Sequence, residues 1–106
     1  PTWLSPVQVN IIPVNNEYHL EYAREVMNLL LGNEIRCKLD DRDEKLGYKI
    51  RESQTKKIPY TLVLGDKEKD SNLITYRKYG HQESVTVSKE EFVKFILEDI
   101  KNKQKD

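Results

Sequence analysis

The chain has 106 residues, about one domain's worth, and its 18 Lys and Arg against 18 Asp and Glu leave no net formal charge, which removes the simplest argument for nucleic-acid binding, a globally basic domain. Leu, Ile, Val and Phe supply 29 residues, enough for one small core and above the level of intrinsic disorder. Apolar runs stop at three to four residues, far short of the roughly 20 of a membrane span; no basic-led apolar leader opens the chain; and a single cysteine, Cys37, allows neither an internal disulfide nor a multi-cysteine metal site, in keeping with a reducing cytosol.

In chain order, Val7, Val9 and Ile11 alternate with Gln8 and Asn10 and predict a first strand, ended or placed at an edge by Pro13, which has no N–H to give a ladder. From Glu17 to Leu31, Tyr22, Val26, Leu29 and Leu30 fall on one helical face, and Gly32-Asn33 stops the helix. Ile35, Cys37 and Leu39 oppose Arg36, Lys38 and Asp40, a second strand. Glu44 to Lys57 reads as a polar helix with Leu46 and Ile50 inward, ended by Ile58-Pro59. The run Tyr60 to Leu64 is a strand buried on both faces, and Gly65-Asp66-Lys67 turns the chain. Leu73 to Arg77 and Glu83 to Val87 flank a hairpin turn at Tyr79-Gly80-His81. Ser88 to Glu91 forms a capping box that starts a last helix with Phe92, Ile96 and Ile100 inward. The tail from Lys101 to Asp106 is polar and is expected to fray.

The order β-α-β-α-β-β-β-α predicts an α/β domain, a mixed five-stranded sheet flanked by three helices, over residues 1–106. Ligands of such open sheets sit beyond the carboxyl ends of the strands. Those ends lead into two charged loops, Asp40 to Lys45 and Gly65 to Glu68.

No catalytic constellation is present. The glycines make no phosphate loop. His19 and His81 lie on different elements and read as solvated surface histidines, and Cys37, on an apolar strand face, as a buried inert thiol. Asp40, Asp41 and Asp43 are interleaved with Arg42 and Lys45, which opposes a bound cation and favours solvation or intraloop ion pairs. Recognition fits better. Residues 42–57 carry a local charge of +3, and Lys45, Lys49 and Lys56 can share a helical face. That face suits either an RNA backbone or plain solvation. Tyr76 and Tyr79, beside Arg77 and Lys78, offer stacking surfaces or ordinary sheet-face aromatics.

Four stretches carry a resemblance: Thr2 to Val9 (TWLSPVQV), Asp41 to Glu52 (DRDEKLGYKIRE), Ile58-Pro59-Tyr60, and Gly65-Asp66-Lys67-Glu68. In this order and spacing the chain resembles the C-terminal anticodon-binding domain of bacterial threonyl-tRNA synthetases along essentially its whole length. The opening motif is the most specific part, since it separates this group from the prolyl, histidyl and glycyl synthetases with related domains. The resemblance implies an excised module whose catalytic core, with threonine, ATP and zinc sites, lies elsewhere in a longer enzyme. It implies no cofactor in this domain, threonine tRNA as partner, a cytoplasmic homodimeric parent enzyme and a monomeric isolated domain.

The resemblance also assigns residues. Threonine codons fix the last two anticodon bases as guanine and uracil. Glu68 in the Gly-Asp-Lys-Glu turn and Arg77 on the next strand match positions that contact anticodon bases in the family. A carboxylate can accept from guanine N1–H and N2–H, and a guanidinium can donate to carbonyl oxygens. Asp43 stands where the family often has an asparagine that contacts a base; ionised, it accepts but cannot donate. From the basic stretch described above, Arg42, Lys45 and Lys49 are the expected RNA backbone or supporting contacts. The alternative is a stand-alone accessory or protein-interaction domain of the same fold, which would have no need of Glu68 and Arg77.

Overall fold

Alternating apolar residues along five short segments close one sheet, with helices at four of its connections and ends. A computed structural model describes residues 6–81 and 83–105, the side chains of 102–105 excepted; Thr2 to Ser5 of the opening motif lie outside the described residues. The elements are β1 (Val9–Pro13), α1 (Asn16–Gly32), β2 (Cys37–Leu39), α2 (Leu46–Thr55), β3 (Tyr60–Leu64), α3 (Asp66–Ser71), β4 (Leu73–Lys78), β5 (Ser84–Ser88) and α4 (Lys89–Lys105). The sheet order is β2-β1-β3-β4-β5. β1 runs parallel to β2 and β3, and the pairs β3–β4 and β4–β5 are antiparallel. This is the expected mixed sheet with a fourth helix, α3, where the sequence predicts only a turn. Asp66 to Ser71 has no apolar periodicity to betray it. It is held by its ends: Glu68 Oε1 accepts the Gly65 N–H at 2.8 Å, and Asp66 and Glu68 in the first turn suit the helix dipole.

The two faces of the sheet differ in chemistry. Val9, Ile11, Tyr60, Leu62, Leu64 and Ile74 pack against Tyr22, Val26 and Leu30 of α1 and Phe92 and Ile96 of α4, a dry apolar core. Inside it Tyr60 meets Phe92 edge-on with ring centroids 5.9 Å apart, and its hydroxyl donates to Asp99 at 2.8 Å. The Tyr22 hydroxyl donates to the Leu73 carbonyl at 2.7 Å; burial above all, with Glu25 next, pushes its pKa up to about 12. Cys37 sits at this layer's edge, and burial pushes its thiol up to about 11, the inert state expected of it.

Alternation puts Asn10, Ile12 and Thr61 on the opposite face, all buried, and α2 packs there against β1. Its buried residues are Lys49 and Ser53, not the expected Leu46 and Ile50, which are only half-buried. The reason is the polar sheet surface beneath. Ser53 Oγ and Thr61 Oγ1 share a hydrogen bond of 2.6 Å, and Lys49 Nζ donates to the Asp40 carbonyl at 3.2 Å. Lys49 therefore points inward, while Lys45 and Lys56 are exposed, and the three do not share one outward face.

Helices α1 and α2 end alike. Glu34 (φ 60°) and Lys57 (φ 59°) adopt the left-handed conformation, and the following Ile35 and Ile58 are buried and donate back to the Leu30 and Ser53 carbonyls. These are Schellman ends built without the usual glycine. Among the described residues no helix is long and apolar enough to cross a membrane.

Candidate functional site

Both charged loops at the carboxyl ends of the parallel strands are stitched to the start of α1. Asn15 caps that helix, its Oδ1 accepting the Glu17 and Tyr18 N–H groups at 2.8 and 3.2 Å. Asn16 Nδ2 donates to the Asp41 carbonyl at 2.6 Å. His19 ties down the other loop and is not the solvated histidine expected from sequence: it is 4% exposed. Its Nδ1 accepts the Asn15 N–H at 3.0 Å, which leaves Nε2–H to donate to Asp66 Oδ1 at 2.6 Å. His81 is exposed, as expected.

In the first loop Arg42 is a clamp. Its Nε and Nη2 donate to the two Asp40 oxygens at 2.8 and 2.9 Å, and Nη2 also reaches Glu52 Oε1 at 3.0 Å. Its guanidinium lies 5.8 Å from the Tyr48 ring centroid. These hydrogen bonds hold the Asp40 and Glu52 carboxyls below the usual carboxylate range, and Glu52 pairs with Lys56 as well, at 3.1 Å. The intraloop pairing expected of Asp40 and Arg42 is thus present. Arg42, Asp43, Glu44 and Lys49 line one side of a polar cleft of about 300 Å³ against Asn15 and Asn16. Lys45 is exposed at the N-cap of α2, whose first turn has no side-chain cap.

The second region is the part of the polar sheet face beside α2. Register places Thr61 opposite Arg77, Val63 opposite Thr75, Thr75 opposite Thr86 and Arg77 opposite Ser84. With Ile50 of α2, the residues Thr61, Val63, Thr75, Tyr76, Arg77 and Ser84 frame a cleft of about 180 Å³, and Thr86 lies next to it, paired with Thr75. Glu68 sits behind Thr75 and is 9% exposed. Its Oε2 accepts the Thr75 hydroxyl at 2.9 Å, while Oε1 holds Gly65. An ionised carboxylate only accepts, so Thr75 must donate to it, and the 2.9 Å contact between Thr75 and Thr86 then runs from Thr86 to Thr75. Among the described residues Arg77 has no ion-pair partner.

The structure thus gathers Glu68 and Arg77 around Thr75, and places Arg42, Asp43, Lys45 and Lys49 in the loop and first turns of α2. Sequence reasoning missed Thr75, Ser84 and Thr86; their signal is the alternation that sets Thr75 and Arg77 on one face of β4. Tyr76 belongs to the core, 5.2 Å from Phe92 by ring centroids, so it is a sheet-face aromatic, whereas Tyr79 is 46% exposed. A guanidinium fork and hydroxyls on this face, with the buried Glu68 carboxylate behind Thr75, can pair with the polar edge of a flat, unstacked ring. Among the described residues no three His, Cys, Asp or Glu side chains gather as a metal-holding group.

Comparison with known proteins places these features. Residues 8–99 match the family model described as the anticodon binding domain. The chain is 52% identical over 104 residues to the threonine–tRNA ligase of Oceanobacillus iheyensis, covering 98% of this chain and 16% of that protein. It is 54% identical over 101 residues to that of Halalkalibacterium halodurans, with 95% and 16% covered. In structure it is similar to the RNA binding domain of threonyl-tRNA synthetase from Cryptosporidium parvum Iowa II, with a TM-score of 0.82 and 26% identity over 88% of this chain and 23% of that one.

Proposed function

This chain belongs to the anticodon-binding domain family, and on that premise we propose that it is the tRNA-reading module of a threonine–tRNA ligase. In this reading it selects the second and third anticodon bases, guanine and uracil, for a catalytic core outside this stretch. The chain spans 16% of the length of its threonine–tRNA ligase relatives, so the proposal assigns ATP, zinc and the ligase chemistry to the remainder of the enzyme, a cytoplasmic homodimer. The isolated domain is a monomer.

The observation that carries the reading is Arg77, a guanidinium with no ion-pair partner among the described residues, set between hydroxyls on an open sheet face. It donates to base carbonyls. Glu68 accepts guanine N1–H and N2–H with the lone pairs that Gly65 and Thr75 leave over. Asp43 accepts from a base at the neighbouring cleft, Lys45 meets the backbone, and Arg42 and Lys49 support the loop from within. The experiment is titration of the chain, at stated salt, with a threonine anticodon stem-loop and with stem-loops changed at the second or third base. The parent should prefer the matched RNA, and Arg77→Ala should erase about 1–3 kcal/mol of that preference, roughly 5- to 150-fold. Equal binding of all stem-loops by the parent refutes the reading and favours an accessory domain of the same fold.

A further inference from the structure

A second basic feature lies at the opposite end of the sheet from the charged loops. A cleft of about 250 Å³ opens at the amino ends of β1 and β3, lined by Pro6, Val7, Lys38, Lys56, Lys57 and Ile58. Three lysines reach it from two elements: Lys38 from the edge strand β2, and Lys56 and Lys57 from the end of α2. Among the described residues no acidic side chain lines it. Lys56 is paired with Glu52, whereas Lys38 and Lys57 have no ion-pair partner among the described residues. Lys57 also occupies a left-handed position, φ 59°, where glycine is the unstrained choice.

We infer that this lysine cleft is a phosphodiester site: it grips the backbone of the same RNA whose bases are read beside Arg77. The inference rests on the proposed function. Lys38 lies on β2 and Arg77 on β4, three strand spacings apart in the order β2-β1-β3-β4, or about 14 Å. Along a single strand one phosphate follows another at roughly 3.4 Å of helix axis, so an RNA seated on Arg77 brings several phosphates within that distance. Lysine suits the task because an ammonium meets a phosphate as a mobile point charge and needs no fixed fork. The cleft adds affinity without reading sequence, and it supplies part of the attraction that a neutral total does not.

The test combines Lys38→Gln with Lys57→Gly and titrates matched and base-changed anticodon stem-loops over a range of salt. Lys57→Gly relieves the left-handed strain, so this variant melts no lower than the parent, and lost binding is not lost folding. The double variant should bind every stem-loop about 3- to 10-fold more weakly, keep the parent's ratio of matched to changed RNA, and lower the slope of log affinity against log salt by about 1.5. An unchanged slope and affinity, with discrimination intact, overturns the lysine site and leaves the reading of the bases standing. A parent that binds all stem-loops alike overturns the reading, and this inference with it.

Discussion

Glu68 serves the fold and the proposed recognition at once, and two substitutions separate the roles. Glu68→Ala removes the acceptor of the Gly65 N–H, at a buried glycine, and of the Thr75 hydroxyl. Hydrogen bonds to a charged acceptor contribute about 1.5–3 kcal/mol each, and an orphaned buried donor costs about 1–3 kcal/mol; with Thr75 able to turn to solvent, the loss is about 2–4 kcal/mol. For a domain near 100 residues that lowers Tm by about 10–20 °C. Glu68→Gln behaves differently. Its amide oxygen keeps the Gly65 N–H, its amide nitrogen donates to Thr75, and the Thr75 hydroxyl turns to donate to Thr86, for a cost of about 1 kcal/mol. Recognition still suffers, because guanine N1–H and N2–H need two acceptors and the second amide N–H of glutamine opposes one of them. The preference for guanine should fall by about 1–3 kcal/mol, roughly 5- to 150-fold. Urea melts report the first quantity and stem-loop titrations the second. If glutamine melts as low as alanine, the relay through Thr75 and Thr86 is wrong. If it keeps full preference for guanine, Glu68 does not face the base.

Two further predictions concern the polar layer and the Arg42 clamp. Ser53→Ala or Thr61→Val alone strands one buried hydroxyl of the 2.6 Å pair, costing about 1–3 kcal/mol, whereas the double substitution removes both groups and should cost less than the two singles together; strict additivity in urea melts would count against the pair. The Asp40 carboxyl is held below its ordinary pKa by Arg42, so its contribution is complete above the ordinary value of about 4 and is lost as pH falls from there through the folded value. Asp40→Asn should therefore lower Tm at pH 7 and flatten its fall below pH 4; parallel Tm–pH curves for parent and variant would contradict this.

The sheet was legible because Val9 and Ile11 alternate with polar neighbours and Tyr60 to Leu64 form a short, near-continuous apolar run, and both signals are local. What escaped depends on contacts distant in sequence. The buried face of α2 follows from Thr61 and the Asp40 carbonyl beneath it, so the local pattern, which favours Leu46 and Ile50, misplaces Lys49. His19 looks solvated until Asp66, 47 residues away, is known to receive its Nε2–H. Helix α3 is held by capping and not by an apolar stripe, whereas α1 stops at Gly32-Asn33 as its sequence announces, and only the left-handed turn at Glu34 that seats the buried Ile35 depends on tertiary contacts. The pair Glu68 and Arg77 was found by resemblance, and only the register of β3, β4 and β5 brings in Thr75, Ser84 and Thr86.

The unequal chemistry of the two sheet faces has a mechanical consequence. Helices α1 and α4 are seated by oily contacts that shifting would expose to water, whereas α2 is also keyed to the sheet by directional bonds from Lys49 and Ser53. The element bordering the Arg77 cleft on one side and the lysine cleft on the other is thus held in register by polar contacts, so a change at Ser53 or Thr61 bears on both clefts together.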